Sequence, residues 1–231
     1  MDDAKRAAAR AALDELPHDG SPLIVGLGSG STARLFVEEL GARVRAGLRV
    51  VGVPTSESTR ALAASVGIQL LPDEGPWDID VTIDGADEVS AALDLIKGGG
   101  GAHAREKIVN YASRRNVIIV DASKLSTRLG ERWAVPVEVL PFAHGTTRAK
   151  LSRSGEPELR LRGEAPLRTD SGNLIFDLRV DPIDDPGTLD RVLRAIPGVV
   201  ETGLFVGRAD VVIVADAGGV KRIERRVRSG P

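Results

Sequence analysis

Lys97 and Glu106 are separated by a loop containing four consecutive glycines, Gly98, Gly99, Gly100 and Gly101. Glycine loses more backbone freedom on folding than any other residue. A run of it is retained where N–H groups must approach something closely or a turn needs positive φ. The loop therefore offers a cation, a row of backbone donors and a carboxylate at the start of a helix. The plain alternative is a flexible linker with ordinary surface charges, and for Glu106 a first-turn glutamate favoured by the helix dipole.

Other loops carry compatible groups. Asp84-Gly85-Ala86-Asp87-Glu88 places Asp84 and Asp87 three apart in a glycine-containing turn, which equally suits an Asx turn or magnesium binding. Gly26-Leu27-Gly28-Ser29-Gly30-Ser31-Thr32 follows an apolar run and leads into a helical pattern. Strand, glycine-rich turn and helix form a phosphate-binding arrangement, because the helix N-terminus presents unpaired N–H groups and positive dipole. Ser31 or Thr32 could instead simply cap the helix, which uses the same groups. No lysine precedes the Ser-Thr pair as in a P-loop, and Ser31 occupies the position where a dinucleotide fingerprint needs its last glycine. Asp121-Ala122-Ser123-Lys124 adds a second lysine. Phosphate donors, carboxylates, lysines and backbone N–H groups together suit proton transfer beside a carbonyl: a carboxylate moves the proton while cation and donors stabilise an enediolate.

Composition narrows the field. The 231 residues suffice for a well-buried core, and a net charge of -2 gives no global reason to expect nucleic acid or a membrane surface as partner. With no cysteine, disulfides, thiolate metal sites and a cysteine nucleophile are excluded. His18, His103 and His144 lie at unlinked spacings with no HExxH pattern, which argues against a His-based zinc site, and with no metal cluster or flavin-like feature in the sequence no cofactor is expected. No apolar run approaches membrane-spanning length, which makes the cytoplasm the expected location.

The positioning elements follow from hydrophobic patterning. Residues 3–16 read as a first helix, and strands are expected at 22–25, 48–53, 68–71, 79–83 and 117–120, with helices between them. This predicts a Rossmann-like α/β fold, a mostly parallel sheet with helices on both faces. The chemical loops follow the first, second, fourth and fifth strands, where ligands bind in such sheets. Residues 134–206 predict a small α+β subdomain of split βαβ, ferredoxin-like plan, with strands at 136–141, 157–161, 173–178 and 198–206 and helices at 142–154 and 190–196. Residues 1–133 and 207–231 would form the catalytic domain, with 211–214 and 221–223 returning to its sheet. The Arg-rich stretch 221–228, taken by its charge alone, reads as a solvated helix or frayed end.

These loops, with Thr55-Ser56-Glu57-Ser58-Thr59, Lys97-Gly98-Gly99-Gly100, Arg105-Glu106-Lys107, Ile196-Pro197-Gly198-Val199-Val200 and Gly203-Leu204-Phe205, resemble type A ribose-5-phosphate isomerase over nearly the whole chain. The resemblance implies metal-free interconversion of ribose 5-phosphate and ribulose 5-phosphate through a cis-enediol. It implies Glu106 as the base between C1 and C2, Asp84 with Asp87 assisting ring opening and proton movement between oxygens, and Lys97 stabilising the oxyanion. Substrate binding would fall to Ser29, Gly30, Ser31, Thr32, Asp84, Gly85, Ala86, Asp87, Lys97, Gly98, Gly99, Gly100 and Lys124, with Lys5 a further phosphate ligand. A homodimer or homotetramer is implied as well. Ser29 stands where the family usually has threonine, and Gly101 where it usually has alanine. Two other classes compete: a non-catalytic sugar-phosphate sensor, which needs no base, and a nucleotide-dependent oxidoreductase, which the incomplete glycine fingerprint disfavours.

Overall fold

The computed structural model describes residues 2–17 and 20–225; His18 and residues 226–228 of the basic tail lie outside them. Contacts divide the chain into two compact units, Met1–Gly85 with Val109–Ser123 and Gly207–Pro231, and Ala86–Ile108 with Lys124–Val206.

The first unit is built on a seven-stranded sheet. Its strand order is Gly219–Glu224, Val211–Asp216, Asn116–Asp121, Val81–Asp84, Leu23–Leu27, Val50–Pro54 and Gln69–Leu70. Every pairing is parallel except that of Gly219–Glu224 with Val211–Asp216. Side chains alternate between the faces of a strand. Leu23, Val25, Leu27, Val117, Ile119, Val211 and Ile213 therefore share one core, packed with Ala8 and Ala12 of helix Asp2–Ala12 and Phe36, Val37 and Leu40 of helix Ser31–Arg45. The intervening Ile24, together with Val53, packs instead with Ile79, Trp77 and Val109. Lys221 and Arg222 belong to the edge strand Gly219–Glu224, not to a helix; their charge suits an edge whose outer hydrogen-bonding groups face water.

The second unit holds a four-stranded antiparallel sheet in the order Val199–Thr202, Val135–Val139, Leu174–Arg179 and Glu156–Leu159. Helices His144–Leu151 and Pro186–Arg194 complete the split βαβ plan. Val135, Val137, Val139, Leu151, Phe176, Leu178 and Leu193 form its core. The helix expected at 190–196 begins at Pro186, because Asp185 caps it: its carboxylate accepts from Thr188 N at 3.0 Å. The single strand expected over 198–206 is two strands in different sheets. Val199–Thr202 joins the four-stranded sheet, while Leu204–Phe205 pairs with Leu95–Ile96, which in turn pairs with Glu88–Val89. Gly203 makes the break. Its N–H donates to Pro136 O at 2.7 Å and its carbonyl accepts from Lys97 N at 2.9 Å. A Cβ there would lie 2.2 Å from Lys97 O.

Candidate active site

In the first unit, the turn after Leu23–Leu27 is shaped by glycine. A Cβ on Gly28 would lie 2.5 Å from the Asp84 Cα, so only glycine lets these two segments approach. Gly30 has φ +95°, and as N-cap of helix Ser31–Arg45 it supplies no side-chain acceptor to the first-turn N–H groups. Gly30 and Ser31 are exposed and line a cavity of about 350 Å³ with Arg34, Ser58 and Thr59. Lys5 Nζ donates to Ser31 Oγ at 2.9 Å, so the first helix delivers a cation to this helix N-terminus. Uncapped amides, a hydroxyl and an ammonium are the groups with which a helix N-terminus can hold an anion.

Ser29 has a different place from Ser31. Its Oγ sits 2.8 Å from both Thr55 Oγ1 and Ser56 Oγ and 3.2 Å from Thr59 Oγ1. Thr55 donates to Leu27 O, Thr59 to Gly28 O and Ser56 to Thr59, so three of the four hydroxyl protons have acceptors inside the cluster. The fourth, on Ser29, is directed to Ser56. The Ser29 side chain ties two loops together, and its backbone N–H donates to Asp84 Oδ1 at 3.1 Å. Gly85 N donates to the same oxygen at 2.7 Å. Asp84 is buried at the end of its strand, with its carboxylate oriented by these two amides. Asp121 is turned to its own loop, accepting from Ser123 N at 3.0 Å.

In the second unit, Lys97 Nζ and Glu106 Oε2 are 3.2 Å apart, with side chains 4% and 6% exposed. Helix His103–Tyr111 holds Glu106 in its first turn. Lys97 also lies 5.5 Å from the centre of the Phe205 ring, and Lys107 lies 5.0 Å from it. Lys107 donates to Glu201 at 2.8 Å; burial lowers its pKa, with Glu201 opposing. Gly98 and Gly101 take φ values of +111° and +82°. Asp87 Oδ2 accepts from Gly99 N at 2.7 Å. A Cβ on Gly99 would sit 2.7 Å from the Asp87 carboxylate, and one on Gly98 would sit 2.6 Å from His103 Nδ1. His103 is fully buried. That burial, with Lys107, Arg160 and Lys97 adding positive charge, pushes its pKa down to about 3 against a contact with the Glu201 backbone. Lys124 lies over the Trp133 ring at 5.2 Å. Glu88, the third acid of its motif, is fully buried and accepts from the N–H groups of Gly130, Arg132 and Trp133, which makes it a loop anchor.

Ser29, Gly30, Ser31, Thr32, Asp84 and Gly85 thus fall in the first unit, and Ala86, Asp87, Lys97, Gly98, Gly99, Gly100, Glu106 and Lys124 in the second. Among the described residues, no group of three or more His, Asp or Glu could hold a metal ion, and no helix is long and apolar enough to cross a membrane. The sequence reading missed Arg160 and Asp177. The Arg160 guanidinium donates to Gly98 O at 2.6 Å and Gly99 O at 3.2 Å, and is held by Asp177 at 2.9 Å. Neither residue belongs to a local motif, so only the folded chain associates them with the glycine loop.

The chain is 51% identical over 230 residues to ribose-5-phosphate isomerase A of Rhodopseudomonas palustris, covering 96% of this chain and 97% of that protein. A solved ribose 5-phosphate isomerase from Plasmodium falciparum superposes with a TM-score of 0.93 at 34% identity, over 98% of this chain and all of that one. A solved D-ribose-5-phosphate isomerase in complex with phospho-erythronic acid gives 0.92 at 39% identity, over 97% and 99%. The family model of ribose 5-phosphate isomerase A (phosphoriboisomerase A) matches residues 51–219, and the chain belongs to that family.

Proposed function

We propose that this protein interconverts D-ribose 5-phosphate and D-ribulose 5-phosphate, as an aldose–ketose isomerase of the non-oxidative pentose phosphate pathway. The observation that carries the chemistry is the buried Lys97–Glu106 pair, 3.2 Å apart at the two ends of the glycine loop. A sugar-phosphate sensor would have no use for such a base.

The roles are those the family likeness implies, carried onto the matching residues of this chain. Ser31, Thr32 and the first-turn amides, with Lys5 and Lys124, take the phosphate. Asp84, held by two amides, with Asp87 beside the glycine loop, assists ring opening. Glu106 removes the proton from C2 of the open-chain aldose. The C1 carbonyl oxygen then gains the electron pair, and Lys97 and the loop N–H groups stabilise the resulting enediolate. A proton passes from the C2 oxygen to the C1 oxygen through Asp84, C1 receives the proton that left C2, and C2 becomes the ketone. Atoms and oxidation level balance without an external acceptor. Phospho-erythronic acid, bound in the solved relative, is a phosphorylated sugar acid whose carboxylate resembles the enediolate in shape and charge.

Turnover of ribose 5-phosphate in EDTA tests the reading. Conversion to ribulose 5-phosphate is expected; no conversion by the intact protein overturns the function, and a requirement for added metal overturns the mechanism. Glu106→Gln should lower kcat by about 10³-fold while sugar phosphate still binds. The protein acts in the cytoplasm as a homodimer or homotetramer, as the family likeness suggests; light scattering of the purified protein tests the assembly.

A further inference from the structure

We propose that Arg160, anchored by Asp177, is a positioning residue for the isomerisation: it fixes the direction in which the Gly98–Gly101 loop presents the Gly100 N–H. The inference rests on the isomerase reading above and concerns a residue outside the loops that the family motifs mark.

The geometry is a clamp on two successive peptide planes. In a trans peptide the C=O and the next residue's N–H point in opposite directions. The Gly98–Gly99 plane is held at both ends: its carbonyl accepts from Arg160 Nη1 at 2.6 Å and, closing the turn, from Gly101 N at 2.9 Å, and its N–H donates to Asp87 Oδ2 at 2.7 Å. The same Nη1 reaches the Gly99 carbonyl at 3.2 Å, so the Gly100 N–H is turned away from Arg160. Glycine makes such fixing necessary. With no Cβ, these peptides could rotate through the left-handed region at little cost, and a rotated peptide would present a carbonyl oxygen where a developing oxyanion needs a donor.

The side chain is built for the task. Arg160 points Nε and Nη2 at the two oxygens of Asp177, a fork-to-fork pair, and leaves Nη1 for the loop. Its side chain is 12% exposed, so competition from water is small. Both residues sit on a rigid frame: Asp177 lies in the central strand Leu174–Arg179, and Arg160 N donates to Ile175 O at 2.9 Å. Lysine has one ammonium and cannot both grip Asp177 bidentately and serve two carbonyls.

The test is steady-state kinetics of Arg160→Met, Arg160→Lys and Asp177→Asn beside the wild type, with inhibition by phospho-erythronic acid and by inorganic phosphate. Donor misalignment acts on the charged intermediate more than on the ground state. Arg160→Met should therefore lower kcat on the order of 30-fold and weaken phospho-erythronic acid by a similar factor. KM for ribose 5-phosphate and inhibition by inorganic phosphate should change less than about threefold, with Arg160→Lys and Asp177→Asn intermediate. A folded Arg160→Met with wild-type kcat overturns the proposal, as does a proportional loss of phosphate and analogue binding. If Arg160→Met fails to fold, Asp177→Asn decides by the same split. An inactive wild type would overturn the isomerase reading itself, a separate outcome in the same assay.

Discussion

Lys97 Nζ lies 3.2 Å from Glu106 Oε2, and both side chains are almost wholly removed from water. A buried ion pair is costly to break from one side, because the surviving charge loses its partner in a medium that solvates it poorly. Lys97→Met should destabilise the fold by about 3 kcal/mol as well as lower kcat. Adding Glu106→Gln to Lys97→Met should recover part of the stability and none of the activity. Urea denaturation of the single and double variants reads the first effect and the isomerase assay the second. Additive stability losses would mean that the pair does not interact.

The two glycine turns differ from position to position. Gly28 faces the Asp84 backbone and Gly99 the Asp87 carboxylate, whereas a Cβ on Gly100 would meet nothing within 4 Å. Gly28→Ala and Gly99→Ala should each lower stability by about 1–3 kcal/mol, and Gly100→Ala should leave it within about 0.5 kcal/mol of the wild type. Melting temperatures check the ranking. Equal losses at all three positions would remove close approach as the reason for glycine at 28 and 99.

Lys5 Nζ donates to Ser31 Oγ at 2.9 Å, which would bring it into the proposed phosphate site. Removing one charged contact to a phosphate costs about 1.4 kcal/mol, so Lys5→Met should raise KM for ribose 5-phosphate about tenfold with kcat little changed. Inhibition by inorganic phosphate should weaken in parallel. An unchanged KM would take Lys5 out of the binding set.

The neutral, buried His103 makes the fold sensitive to acid. Its pKa is about 3 when folded and 6.5 in the open chain. Between those values the unfolded chain binds a proton that the folded one does not, so stability falls as pH drops from 6.5 towards 3, by up to about 1.4 kcal/mol per pH unit. His103→Leu should flatten this acid limb in urea denaturation measured from pH 7 to pH 4. An identical slope in the variant would show that other groups set the acid lability. Glu138 has the opposite sign. Burial raises its pKa above 4.5, so its share of stability declines as pH rises through that window.

Much of the candidate site is legible in the sequence because each piece is local. Apolar strands ending in Gly, Ser or Asp turns identify the sheet and the edge where its loops lie, and Lys97 to Glu106 is one continuous stretch. What escaped the sequence depends on distant partners. Gly203 looks like any strand glycine until Lys97 O and Pro136 O approach it. Strands such as Glu88–Val89 and Leu95–Ile96 are two residues long, too short to show alternation. The Arg160–Asp177 fork joins positions 17 residues apart with no shared motif. Ser29 shows a subtler limit: its type and position suit phosphate binding, but its hydroxyl is directed into a cluster with Thr55, Ser56 and Thr59.

The Glu88 carboxylate, which receives the N–H groups of Gly130, Arg132 and Trp133, has a consequence for how this protein can vary. The grip is on backbone, and every amino acid but proline supplies the same donor. The path of that loop is therefore set from position 88 and not by the side chains at 132 and 133, although the Trp133 ring also lies beneath Lys124. Proline at either would remove an N–H from a fully buried anion, and aspartate at 88 would be a methylene too short to hold the loop.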